Sequence, residues 1–100
     1  MRRKAKIDDN QNQIVQVLRE IPGVTVMPNH HDILVGHKGR TFWYEIKNEN
    51  AISRKTGKVL DSRKQKSQIK LEGEWTGHYR IVGTIDQILV DMMLRPKAGR

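Results

Sequence analysis

Apolar residues recur along the chain with two spacings, about three to four residues and two, and the points where the spacing changes divide it into elements. Ile14, Val17, Leu18 and Ile21 follow helical spacing, with Asp8 or Asp9 available as the N-cap and Pro22-Gly23 as the stop. Val24-Thr25-Val26-Met27 reads as a short strand broken by Pro28-Asn29. Two alternating runs follow, Asp32-Ile33-Leu34-Val35-Gly36 and Thr41-Phe42-Trp43-Tyr44-Glu45-Ile46-Lys47. Between them His37-Lys38-Gly39-Arg40 predicts a β-hairpin with a two-residue turn at Lys38-Gly39. Residues 48–62 are polar, with almost no apolar periodicity, and predict a loop. From about Ser62 a helix carries Gln65, Gln68, Ile69, Leu71 and Glu72, with Gly73 near its end. Tyr79-Arg80-Ile81-Val82 predicts a last strand, and Ile85, Ile88, Leu89, Met92 and Met93 a closing amphipathic helix from near Thr84, ended by Pro96. The expected order is α-β-β-β-α-β-α, an α/β domain with a mixed sheet flanked by helices.

The hairpin carries the most informative chemistry. A turn at Lys38-Gly39 places Asp32 directly opposite Glu45, and the period of two puts Lys47 on the same face. Ile33, Val35, Phe42, Tyr44 and Ile46 then form the opposite, apolar face. Paired side chains in an antiparallel ladder have Cβ atoms about 4.5–5.5 Å apart, where like charges destabilise the sheet and a bound cation would reverse the penalty. Two carboxylates completed by water and phosphate suit Mg²⁺ or Mn²⁺ better than Zn²⁺. A neighbouring ammonium can orient a water or steady developing negative charge. The competing reading shifts the register by one residue, sends the acids to opposite faces and leaves them as solvated charges.

The 100 residues fit one domain with one modest core, expected over residues 8–94, with a basic arm at 1–7 and a basic tail at 95–100. The net charge of +8 favours an anionic partner and makes nucleic acid the leading one. The candidate phosphate contacts are Arg40, Arg54, Lys55, Lys58, Arg63 and Lys66, four of which belong to or adjoin the 48–62 segment that starts directly after Lys47. With no cysteine, thiol catalysis, disulfides and Cys-based zinc sites are excluded. No apolar run approaches the ~20 residues of a membrane span, and the basic start is not followed by a signal-peptide core, so a cytoplasmic protein is expected, in the host-cell cytoplasm if virus-encoded.

Asp32 followed after a strand by Glu45-Ile46-Lys47 resembles the D…(D/E)xK signature of the PD-(D/E)XK nuclease superfamily. His31-Asp32-Ile33-Leu34-Val35-Gly36 is similar to the P-D-L-L-V-G segment of small stand-alone VRR-NUC (virus-type replication-repair nuclease) proteins, and Asn10-Gln11 with Ile14-Val15 and Leu18-Arg19 resembles their first helix. The resemblance runs from about residue 8 to about residue 93 and implies a restriction-endonuclease-like three-layer core. It implies Asp32, Glu45 and the main-chain carbonyl of Ile46 as ligands of Mg²⁺ or Mn²⁺, with Asp32, Glu45, Lys47 and Gln68 as the catalytic set. Two positions depart from the pattern. His31 replaces a proline, and Gln13 falls where the family commonly carries an acidic residue on its first helix.

The resemblance implies a metal-dependent endonuclease that hydrolyses DNA, selective for branched or Holliday-junction-like sites, and cutting two strands symmetrically calls for a homodimer. The alternative is a non-catalytic basic nucleic-acid-binding protein whose acids are structural; an RNA-directed nuclease is a third reading. His30 and His31 adjoin the first acid and read more readily as loop residues than as ligands. Trp43 and Trp75 are open to core packing, to an interface or to stacking on bases.

Overall fold

In the computed structural model, which describes residues 9–29 and 31–94, the chain runs α1 (Asp9–Arg19), β1 (Val24–Pro28), β2 (Asp32–His37), β3 (Arg40–Ile46), α2 (Lys66–Glu74), β4 (Tyr79–Val82) and α3 (Ile85–Asp91). The four strands form one mixed sheet in the order β1-β2-β3-β4. The first three are antiparallel neighbours, and β4 returns parallel to β3 after α2. The arms at 1–7 and 95–100, Asp8 and His30 lie outside the described residues.

The β2–β3 register follows from the turn between them. Lys38 (φ 53°) and Gly39 (φ 78°) both occupy the left-handed region, the type I′ geometry whose twist matches that of the flanking strands. Asp32 therefore pairs with Glu45, Ile33 with Tyr44, Leu34 with Trp43 and Val35 with Phe42. The alternation divides the sheet into two unlike faces. On one face Ile33, Val35, Phe42, Tyr44, Ile46 and Val82 are buried under Ile14, Val15 and Leu18 of α1 and Ile88 and Leu89 of α3. Each such side chain contributes about 1.5–3 kcal/mol on burial, which makes this layer the main core. Val17, at the edge of the α1 stripe, stays largely exposed. A polar cluster ties α3 to the same face: the Tyr44 hydroxyl donates to Asp91 (2.6 Å), which also pairs with His78 and Arg80. Burial and this hydrogen bond to a carboxylate push the Tyr44 hydroxyl well above the usual phenol range.

The other face is covered over its β3–β4 half only. There Tyr79 and Ile81 pack with Ala51 and Val59, supported by Trp43, Ile52 and Leu71. The loop expected at 48–62 is an irregular segment packed as an ordered layer. Within it Ile52 and Val59 form a bridge, Glu49–Ala51 and Asp61–Arg63 form 3₁₀ turns, and Ser53 Oγ accepts from the Lys55 and Thr56 amides. The segment sits tightly because of Gly83, where a Cβ would come within 2.9 Å of Ile52 Cδ1. Two element boundaries also differ from expectation. The helix expected from Ser62 begins at Lys66, because the 3₁₀ turn takes up the preceding residues. Of the two expected caps, Asp9 is already helical and Asp8 lies outside the described residues. Met93 lies past the end of α3 with φ 64° and its side chain in solvent.

Candidate active site

Asp32 opens β2 and Glu45 nearly closes β3, so their facing side chains stand at the end of the sheet where the parallel strands β3 and β4 finish. The Ile46 amide donates to the His31 carbonyl at 2.8 Å. The neighbouring Asp32–Glu45 pair therefore occupies a non-hydrogen-bonded position, where Cα atoms approach to about 4.5 Å and side chains lie closest. Both are half-buried. The Glu45 carboxyl is pushed up to about 7, first by desolvation on burial and further by the charge of Asp32, with the Lys47 ammonium acting the other way. Lys47 is also half-buried, immediately after the strand.

Each limb of the site is held by groups with no local sequence signature. Trp43, two residues before Glu45 on the same face, donates its Nε1–H to Asp32 Oδ2 at 2.9 Å. The Asn29 amide donates to the Asp32 carbonyl (2.8 Å), and the fully buried Gln11 side chain donates to the Asn29 carbonyl (2.9 Å). On the other limb the Lys47 amide donates to the Val82 carbonyl at 2.7 Å. Asn10 Nδ2 reaches the carbonyls of Lys47 (2.8 Å) and Gly83 (3.1 Å). Two consecutive residues in the first turn of α1 thus clamp both ends of the motif. Gln13 does not share this role: its side chain is exposed, whereas Asn10 reaches the Lys47 carbonyl.

The other expected residues divide. Ile46 buries its side chain in the main core, so only its main chain is available to a ligand. Gln68 is half-buried in the first turn of α2, where its Oε1 accepts from the Gln65 amide at 2.9 Å and caps the helix. Arg54 lines a cleft of about 670 Å³ with Asn48, Asn50 and Thr84, next to Lys47 in the chain. Lys55, Lys58 and Lys66 are exposed, and Arg63 donates to Asn50 Oδ1 at 3.0 Å. Arg40 stands apart. It pairs with His37 at the turn end of the hairpin, about 17 Å from Glu45 at ~3.4 Å per residue, and its guanidinium lies over the Phe42 ring on the core face.

The donor set suits a hard, oxygen-seeking cation. Among the described residues no group of three or more His, Cys, Asp or Glu side chains could hold a metal, and the carboxylates of Asp32 and Glu45 face each other as a pair. Mg²⁺ is ordinarily held by one or two carboxylates, with water and substrate phosphate completing its shell. No family model, no curated protein and no solved structure matches this chain.

Proposed function

We propose that this protein is a Mg²⁺- or Mn²⁺-dependent endonuclease that hydrolyses DNA phosphodiesters, acting in the cytoplasm, with a restriction-endonuclease-like core of the PD-(D/E)XK, VRR-NUC kind. The observation that carries the reading is the facing pair Asp32–Glu45 with Lys47 two residues on, set at the close-approach position of the ladder. A like-charge pair there destabilises the sheet, and its burial makes Glu45 retain a proton that a cation would displace. Such an arrangement is costly as structure and suited to binding a metal.

When bound, the metal would neutralise phosphodiester charge and lower the pKa of a water. The chain's own part is positional. Asp32 and Glu45 are the ligands, with the Ile46 carbonyl beside them. Trp43 fixes the Asp32 carboxylate through Nε1, leaving Oδ1 and the second lone pair of Oδ2 for a cation. Lys47 supplies a compact ammonium on the acid face, where it can steady the charge that develops on phosphate oxygens. The net charge of +8, with Arg54, Lys55 and Lys58 exposed on the layer that follows Lys47 and Lys66 exposed at the start of α2, favours a polyanionic substrate. One chain carries one acid pair, so paired cuts across a branched junction need two copies related by a two-fold axis.

The test is a cleavage panel of plasmid, four-way junction, single strand and RNA, with Mg²⁺, Mn²⁺ or chelator. Metal-dependent cleavage of DNA that disappears in Glu45→Ala supports the reading. DNA binding with no cleavage under any metal refutes it in favour of a non-catalytic binding protein.

A further inference from the structure

We propose that the open half of the acid-bearing sheet face is a binding shelf for an unpaired nucleobase of the strand being cut. This rests on the nuclease reading and specifies its substrate as DNA with unpaired nucleotides beside the scissile phosphate. On this face the helix α2 and the 48–62 layer cover β3 and β4, while the β1–β2 half is bare. Met27 is 67% exposed and its ladder partner Leu34 40% exposed, in a chain of which 30% is charged. With Pro28, Asn29, Asp32 and Trp43 they line a cleft of about 510 Å³, within the size range of small-ligand sites.

Two features point to a base. The first is continuity: Asp32 is part of the cleft wall, so its occupant adjoins whatever the acid pair holds. A nucleotide joins an apolar, flat ring to a phosphate at that scale, and a base becomes available to such a shelf only when it is out of the duplex stack. The second is rigidity. Trp43 is held by its bond to Asp32 and by edge-on contacts to Tyr79 (centroids 4.7 Å) and Trp75 (5.4 Å). Trp75, itself 50% exposed, lies so close to Gly77 that a Cβ there would come within 2.8 Å of its Nε1. Aromatic surface fixed before binding loses little entropy on contact. Met27 and Leu34 offer no hydrogen-bond donor and at most a weak sulfur acceptor to a base edge, so these two side chains take any base and select for its being unpaired. A second copy of the chain fits less well, since a stable interface draws on about 20–30 residues a side and this cleft is lined by a handful.

The experiment compares wild type, Met27→Ala and the Met27→Ala/Leu34→Ala double variant in chelator, where no strand is cut. Fluorescence anisotropy gives the affinity for a labelled single strand and for the duplex of the same sequence. In wild type the single strand binds tighter relative to duplex than in the double variant, and removing both side chains lowers that ratio about fivefold or more, the scale of one lost stacking contact. Met27→Ala alone, at a side chain mostly in solvent, moves the ratio in the same direction and guards against misfolding of the double variant. An unchanged ratio in folded variants overturns the proposal. So does a wild-type dimer that sediments as a monomer once Met27 and Leu34 are removed, which assigns the cleft to a second copy. The two readings fail separately: a lowered ratio without cleavage in Mg²⁺ removes the nuclease and keeps the shelf, whereas cleavage with an unchanged ratio does the reverse.

Discussion

Replacing Glu45 by glutamine removes the charge that the fold opposes and should stabilise the metal-free protein at alkaline pH. The carboxyl titrates near 7 in the folded chain against an ordinary 4.5, so the native state holds a proton that the unfolded state has already lost between those values. The wild type therefore loses stability as pH rises from about 4.5 to about 7, and the loss is complete above 7. At ~1.36 kcal/mol per pH unit the full shift corresponds to about 3 kcal/mol; the side chain is only half-buried and solvent screens it, so about 1–2 kcal/mol is the figure to expect. In a domain of this size ~1 kcal/mol moves the melting temperature by about 4–8 °C. Thermal melts of wild type and Glu45→Gln in chelator, from acid to mildly alkaline buffer, should coincide near pH 4.5 and diverge by several degrees at pH 8, with the variant higher. Excess Mg²⁺ should then raise the wild type and leave the variant nearly unmoved, because a ligand that binds only the native state stabilises it by mass action. Parallel melting curves across the whole pH range would show that Glu45 is not desolvated against Asp32 and would remove the physical basis of the metal site.

Other substitutions probe the remaining parts. Asp32→Ala and Glu45→Ala should each abolish cleavage while leaving DNA affinity by anisotropy largely intact; near-normal turnover in either would displace the ligand assignment. Lys47→Ala should lower kcat strongly with little change in Mg²⁺ half-saturation, and Lys47→Arg should recover little of it, because a planar guanidinium does not replace a compact ammonium. Asn10→Ala leaves the carbonyls of Lys47 and Gly83 without their donor and should cost about 1–3 kcal/mol in denaturant melts, whereas Gln13→Glu, at an exposed position, should leave Mg²⁺ half-saturation unchanged. Lys38→Asn should stabilise the hairpin by up to ~1 kcal/mol, since asparagine tolerates the left-handed backbone better than lysine does; a lower melting temperature would count against the turn geometry.

The hairpin was legible because independent local signals agree on its register. A Lys-Gly pair of the I′ type and two alternating runs both require Asp32 to face Glu45, and a shift of one residue would have exposed Ile33, Val35, Phe42 and Tyr44. Trp43 was legible to the same extent, since residues 43, 45 and 47 share a face, but its bond to Asp32 depends on a rotamer that alternation does not specify. The ordered 48–62 layer was not legible. Its apolar contributions are few and irregularly spaced, Ala51, Ile52 and Val59, and its order comes from a bridge and side-chain caps. Asn10 was hidden for a different reason, since its partners lie 37 and 73 residues away and nothing near it in the chain distinguishes it from Asn12, which is exposed.

The supports around the acid pair explain how a small domain tolerates an unfavourable arrangement at the end of its sheet. Repulsion between Asp32 and Glu45 acts to spread the mouth of β2 and β3, and each strand is restrained on its outer side. The β1–β2 turn is tied to α1 through Gln11 and Asn29, and the start of the following segment to α1 through Asn10. Because Asn10 and Gln11 are consecutive on one helix that is itself anchored by Ile14, Val15 and Leu18, the spreading force is passed to the main core rather than absorbed by a loop. The restraints act to hold the two carboxylates at one separation, the preorganisation that a metal site would need if binding energy is not to be consumed in assembling it. Loosening that clamp should weaken metal affinity without touching a ligand. Gln11→Ala, measured by Mg²⁺-dependent shift in melting temperature, is the cleanest case, since the Gln11 amide donates to the Asn29 carbonyl and is not itself a proposed ligand. A full wild-type shift in a variant that is merely less stable would mean that the strands alone set the spacing of the acids.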